Sequence, residues 1–191
     1  MQWRIIPPDQ FQTSLWAGGS TTQLAIFPPE ARYADRDFIW RVSSAQVELT
    51  HSVFTSLPDY DRFLSTLDGE LMLEMEGSGR RTLRPLEVCR FDGGLRVESW
   101  GKCRDFNLML RKGQCTGEMT ALHLAEGERR LCRWDADVAG LYCCTGSLGW
   151  LQAGQFALAD RPAPQELTAQ EETSLLAVRI CDLTADFGKK K

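Results

Sequence analysis

An arginine interrupts an otherwise apolar strand face. From Phe38 to Leu49 the chain reads FIWRVSSAQVEL, and the side chains of a strand point to opposite faces in turn. Ile39, Arg41, Ser43, Ala45, Val47 and Leu49 therefore share one face. A guanidinium among small and apolar neighbours needs an anion or a wet cavity, because burying it unpaired is costly. Arg41 is thus a candidate grip for a carboxylate or phosphate. The competing reading ties Arg41 to a nearby aspartate and makes it a brace between strands.

Two more segments carry polar chemistry. In Trp16-Ala17-Gly18-Gly19-Ser20-Thr21-Thr22-Gln23, paired glycines permit close backbone approach and expose amide N–H groups. Gly19, Thr21 and Gln23 can cradle a small anion there, or the segment is a turn entering the strand at 22–27. In Asp105-Phe106-Asn107-Leu108-Met109, Asp105, Asn107 and Met109 share a face. Asp105 and Asn107 either line a polar pocket beside Arg41 and Ser43 or form an internal salt bridge and hydrogen bond.

Other chemistries lack their residues. The two histidines, His51 and His123, do not form the His-plus-carboxylate cluster that a metal inside a β-barrel requires. No metal and no cofactor are expected. Neither a phosphate-binding loop nor a G-x-S-x-G elbow occurs. The seven cysteines include no C-x-x-C pair, and Cys143-Cys144 lie in an apolar run. They read as free, mostly buried thiols.

The elements that must position these groups are short strands. Apolar runs broken by Gly, Pro and Asp fall at 2–6, 22–27, 38–49, 62–67, 71–75, 87–91, 95–100 and 105–110. They continue at 119–124, 129–134, 140–145, 149–151, 155–158, 165–168 and 174–180. No window of helical periodicity interrupts them, which predicts an all-β sandwich or barrel. Glu76-Gly77-Ser78-Gly79 predicts a hairpin tip. A faint echo between the two halves predicts two small barrels in tandem, over 1–113 and 114–184, with a flexible tail at 185–191.

The chain of 191 residues, 43% hydrophobic, suffices for one substantial core or two small ones. Its net charge of -4 argues against non-specific nucleic-acid binding. No apolar run approaches the roughly 18 residues that span a bilayer, and no signal-peptide core is present. A cytoplasmic protein without membrane or nucleic-acid partners is expected. Exposed barrel edges make a homodimer the expected assembly.

Six motifs in order carry a family resemblance: Trp16-x-Gly18-Gly19-x-Thr21-x-Gln23, Asp37-Phe38-x-Trp40-Arg41-x-Ser43-x-Ala45-x-Val47, Phe54-Thr55-Ser56-Leu57-Pro58, Arg62 with Leu67-x-Gly69-Glu70, Phe91-x-Gly93, and Asp105-Phe106-Asn107-x-Met109. Together they resemble the HutD/Ves family of bicupins over residues 16–113. The resemblance implies two cupin-like barrels that have lost the usual cupin metal ligands. It also implies a regulatory role in binding a small anionic metabolite, with carboxylates of histidine breakdown as candidates. Family members are linked to histidine utilisation or to environmental stress. On this reading Arg41 clamps the carboxylate, while Ser43, Thr21 and Gln23 supply neutral hydrogen bonds. Arg62, Asp105 and Asn107 complete the pocket, and Trp16, Trp40, Phe54 and Phe91 form its walls. The sequence departs from the family pattern where Gln23 replaces a usual Glu and Pro58-Asp59 a usual Pro-Gly. Two alternatives remain: a metal-independent isomerase or hydrolase using Asp105 or Asp61 as general base, and a structural or partner-binding protein.

Overall fold

Turn residues cut the chain into seventeen strands in a computed structural model that describes residues 3–184. In order these are β1 (Arg4–Ile6), β2 (Gln12–Trp16), β3 (Gly19–Phe27), β4 (Trp40–Val47), β5 (His51–Val53) and β6 (Tyr60–Asp68). Next come β7 (Leu71–Met75), β8 (Gly79–Leu83), β9 (Val88–Asp92), β10 (Val97–Trp100), β11 (Cys103–Arg111) and β12 (Cys115–Leu124). The last are β13 (Arg129–Cys132), β14 (Val138–Thr145), β15 (Phe156–Asp160), β16 (Gln165–Thr168) and β17 (Thr173–Asp182). Among the described residues the only helix is a single 3-10 turn at Pro8–Gln10, and no helix is long and apolar enough to cross a membrane. The protein is all-β, as its patterning predicts.

The chain divides into two units, Phe11–Gln114 and Met1–Gln10 with Cys115–Lys191. The segment carrying β1 joins the second unit because β1 pairs with β15, whereas the sequence pattern places it with 11–113. The expected flexible tail at 185–191 lies outside the described residues.

In the Phe11–Gln114 unit a six-stranded sheet, β2-β3-β4-β11-β6-β9, faces a four-stranded one, β5-β10-β7-β8. Val47, Leu64, Cys89, Phe91 and Cys103 of the first sheet pack on Leu71, Leu73, Leu83 and Val97 of the second. A second cluster, Ala31, Phe38, Leu57, Tyr60 and Met109, lies further along the same strands. Antiparallel register sets Asn107 opposite Ser43 and Met109 opposite both Arg41 and Arg62. Strand alternation then gives β4, β6 and β11 an inner face that is apolar at each end and polar between. Val42, Phe63, Phe106 and Leu108 on the other face are buried as well, so these central strands are buried on both faces while only the inner one carries polar side chains.

In the other unit a five-stranded sheet, β1-β15-β14-β17-β12, accompanies the pair β13-β16. Its core is built on Leu124, Leu141, Leu148, Leu175 and small side chains such as Ala139 and Ala157, with Trp3 and Trp150 packed against it.

The expected closed barrels are open, paired sheets. Where β6 meets the segment after β8, the contact is one isolated bridge, Thr66 to Pro85; proline has no N–H with which to extend a ladder. The run 149–151 is a turn rather than a strand, closed by a bridge between Ser147 and Gln152. Strands β2, β5 and β8 escape the hydrophobic pattern because β5 has three residues, all five residues of β2 are exposed, and β8 is exposed up to its last residue, Leu83. The 76–79 hairpin tip forms as expected, joining β7 to β8 with Ser78 N–H donating to the Met75 carbonyl at 3.0 Å.

Candidate functional site

The polar band on the inner face of the Phe11–Gln114 unit opens into a cavity of about 310 Å³. At roughly 30 Å³ per water it has room for about ten waters. β4 contributes Arg41, Ser43, Ala45 and Val47, β6 contributes Arg62, and β11 contributes Asp105, Asn107 and Met109. Thr21 of β3, Ser14 and Trp16 of β2, Tyr33 and the segment Ser52 to Thr55 complete the lining. The period-two alternation that buries Val47, Leu64 and Cys103 aims Arg41, Arg62 and Asp105 inward from the same strands.

Five charged or polar lining residues are almost wholly buried: Ser43 is 2% exposed, Arg41 and Asp105 5%, Arg62 and Asn107 6%. Arg41 is held by neutral groups. Its Nε donates to Gln23 Oε1 at 2.9 Å and its Nη1 to Ser43 Oγ at 3.0 Å. Its guanidinium lies 4.6 Å from the centre of the Tyr33 ring. Arg62 is held by rings, 5.0 Å from Phe54 and 5.2 Å from Phe91. Its Nε is buried without a hydrogen-bond partner, and so is Asn107 Oδ1. Among the described residues, no carboxylate stands within 4.0 Å of either guanidinium. Asp105 instead accepts the Ala45 N–H through Oδ1 at 3.2 Å, while its carbonyl accepts the Ser44 hydroxyl at 2.6 Å.

Burial shapes the acid–base character of the cavity. It pushes Asp105 up to about 7, against the Ala45 hydrogen bond and the charges of Arg62 and Arg41. It draws Arg41 down to about 10, opposed by Tyr33 and Asp105 and assisted by Arg62 and Arg36; the side chain stays charged at neutral pH. Arg62 is lowered by burial too, with Arg36 adding to the effect. Burial alone would raise Tyr33, yet the hydrogen bond and charge of Arg36, the charge of Arg62 and a hydrogen bond from Thr55 carry it below the ordinary tyrosine value.

The sequence-derived candidates divide by position. Thr21, Arg41, Ser43, Arg62, Asp105, Asn107, Trp16 and Phe54 line the cavity. Gln23 stands behind it as the acceptor for Arg41. Phe91 packs in the apolar floor and under Arg62. Gly19 does not line the cavity. Its φ is +144°, and a Cβ there would stand 1.9 Å from the Gln46 carbonyl oxygen, so the glycine lets β3 approach β4. Trp40 points to the opposite face and stacks on Phe27 at 5.8 Å, a correction that follows from the alternation of β4. Asp61, weighed as a base, also faces away from Arg62 and pairs with Arg90 at 2.9 Å. Sequence reasoning missed Tyr33, Ser52 and Thr55. Tyr33 lies between β3 and β4 where no periodicity applies; its signal was an aromatic flanked by Arg32 and Arg36. Thr55 stood within a quoted motif but was not placed in the site.

The lining contains no histidine and one carboxylate. Among the described residues no three His, Cys, Asp or Glu side chains converge as metal ligands. This donor set does not fit the metal of a metallocupin, whereas it does fit an anion with hydrogen-bonding groups.

Comparison with known proteins agrees with the motifs. The HutD family model matches residues 9–177. Protein Ves of Escherichia fergusonii is 33% identical over 113 residues, 56% of each chain; the match thus spans little more than half of that curated relative. Among solved structures, a conserved protein of unknown function, PA5104 from Pseudomonas aeruginosa PAO1, superposes with a TM-score of 0.77 at 23% identity, covering 95% of this chain and 100% of its own. HutD from Pseudomonas fluorescens SBW25, described in a formate condition, gives 0.74 at 20% identity over 95% and 99%. The bacterial pirin YhhW from Escherichia coli, in complex with nickel(II), gives 0.70 at 8% identity over 93% and 98%. These structural likenesses establish a cupin- and pirin-like fold.

Proposed function

This chain belongs to the HutD family, and we propose that it is a metal-free bicupin that binds a small carboxylate metabolite and acts as a regulatory or stress-related sensor rather than as a catalyst. One observation carries the reading: two buried arginines line one cavity without an ion-pair partner. An unneutralised guanidinium in a low-dielectric site is costly unless an anion joins it. Arg62, whose Nε lacks a partner, takes the carboxylate. Arg41, already oriented by Gln23 and Ser43, contributes its remaining N–H groups and its charge. Asn107 offers its unpartnered Oδ1 as an acceptor to a donor on the rest of the molecule. The formate condition named for the P. fluorescens HutD structure is compatible with carboxylate chemistry.

A thermal-shift screen against formate, glutarate, glutamate, N-formylglutamate and urocanate tests the proposal. A ligand at about 100 times its dissociation constant stabilises by roughly 2.7 kcal/mol, a rise of several degrees for a chain this size. The rise should vanish in Arg62→Met. No response to any of these acids in the wild-type protein would refute carboxylate binding. A second reading, proton transfer by Asp105 as general base beside Arg41, draws on the upward push of Asp105 to about 7. Turnover of any of these acids, followed by NMR, would decide for it.

A further inference from the structure

The charge of the cavity is set by three side chains: Arg41 of β4 and Arg62 of β6 against Asp105 of β11. Other charged groups lie outside this set. Arg36 stacks on Tyr33 at 4.3 Å, and Tyr33 in turn faces Arg41. His51, which precedes lining residue Ser52, turns to Glu98 at 2.9 Å and stacks on Trp100. Lining residues from β2, β3 and the segment after β5 carry no charge. On β11 itself, Cys103 is pushed up to about 12 by burial and by the charges of Asp105 and Asp68, so it stays a neutral thiol.

A carboxylate that enters this space finds another carboxylate already there. Asp105 has the Ala45 N–H on Oδ1 and depends on the two guanidiniums for its remaining stabilisation. An incoming anion draws on those same guanidiniums and repels Asp105. Both effects favour the neutral form of the aspartic acid. We propose that the cavity takes up its carboxylate together with one proton, which Asp105 holds while the ligand is bound, so that binding strengthens as pH falls. This rests on the carboxylate-binding reading above and adds the stoichiometry of capture. A protonated Asp105 also gains an O–H, which can donate to the bound anion instead of opposing it. Because burial already sets Asp105 near neutrality, the coupling falls in the physiological range.

Isothermal titration of the full chain with formate and with glutarate, in two buffers of different ionisation enthalpy, measures the protons taken up. At a pH of about 8, linkage predicts close to one proton absorbed per site, falling toward zero near pH 5.5. Affinity should be about tenfold weaker at pH 8 than at pH 6, the slope that follows when only the form protonated at Asp105 binds well. In Asp105→Asn, heats should become independent of the buffer and affinity independent of pH. Binding of either acid at a pH of about 8 with no proton uptake, or an unchanged pH slope in the variant, overturns this inference and leaves carboxylate binding standing. Should none of the five acids of the thermal-shift screen bind at any pH from about 6 to 8, both proposals fall together. The wild-type measurements decide the matter even where the variant does not fold.

Discussion

Replacing Asp105 with asparagine should stabilise this protein, and by an amount that depends on pH. Burial pushes the carboxyl from 3.8 to about 7. At 1.36 kcal/mol per unit, those roughly three units correspond to about 4 kcal/mol. The folded pKa is raised, so between about pH 4 and 7 the folded protein retains a proton that the unfolded chain has released. Stability therefore falls as pH rises through that window and levels off above it. Asparagine keeps the shape of the side chain and can still accept the Ala45 N–H, but it carries no charge. The variant and the wild type should be equally stable near pH 4. By about pH 8 the variant should lead by about 4 kcal/mol. Urea denaturation at several pH values, followed by tryptophan fluorescence, reads the difference as a shift in midpoint at constant slope. A gap that does not change between pH 4 and 8 would refute the reasoning, because it would mean that Asp105 ionises as easily in the cavity as in water.

Three further outcomes follow from the geometry. Arg62→Met removes a buried guanidinium with an orphaned Nε and keeps apolar contact with Phe54 and Phe91; thermal melting should show stability unchanged or raised, by up to about 2 kcal/mol, while the response to carboxylates is lost. Gly19→Ala forces a Cβ against the Gln46 carbonyl at positive φ; it should cost about 2 kcal/mol or more, seen as a lower melting temperature. Cys103 and Cys143, whose thiols burial pushes up to about 12 and about 11, should resist iodoacetamide in the folded protein and react after denaturation, as read by peptide mass mapping; rapid native labelling of either would refute their burial.

Legibility of the sequence followed burial. The run from Leu71 to Met75 and that from Gln165 to Thr168 match β7 and β16 to the residue, because buried Leu71 and Leu73 mark the inner face of β7 and buried Leu167 that of β16. β2 carries no such mark: all five residues are exposed, and only its pairing with β3 makes it a strand. The cavity lining on β4 and β11 was readable because strict alternation assigns Arg41, Ser43, Asp105 and Asn107 to one side each. Alternation also predicts that Trp40 faces away from Arg41, so its place among the pocket walls ignored a signal that was present. The position of Tyr33 was not readable, since loops obey no period. Nor was the absence of an Arg41–Asp105 ion pair, because strand register fixes which residues are opposite but not which way a long side chain turns.

That missing ion pair is what separates a binding site from an internal brace. A structural Arg–Asp tie would close at charge-assisted hydrogen-bond distance and leave no orphaned atoms. Here Arg41 spends its directed bonds on Gln23 and Ser43, and Asp105 takes its own from a backbone N–H. The two charges stabilise each other only across the cavity. Each buried orphan such as Arg62 Nε or Asn107 Oδ1 costs on the order of 1–3 kcal/mol, and a fold optimised for stability alone would fill this volume with the same leucines and valines that line its ends. The apolar floor at Leu64, Leu71 and Leu73 and the cap at Phe38, Tyr60 and Met109 supply the burial that tolerates such a site. On the proposed reading, groups kept apart, desolvated and partly unsatisfied await a molecule that satisfies them together, and a carboxylate taken up with a proton on Asp105 would do so with the fewest changes to the protein.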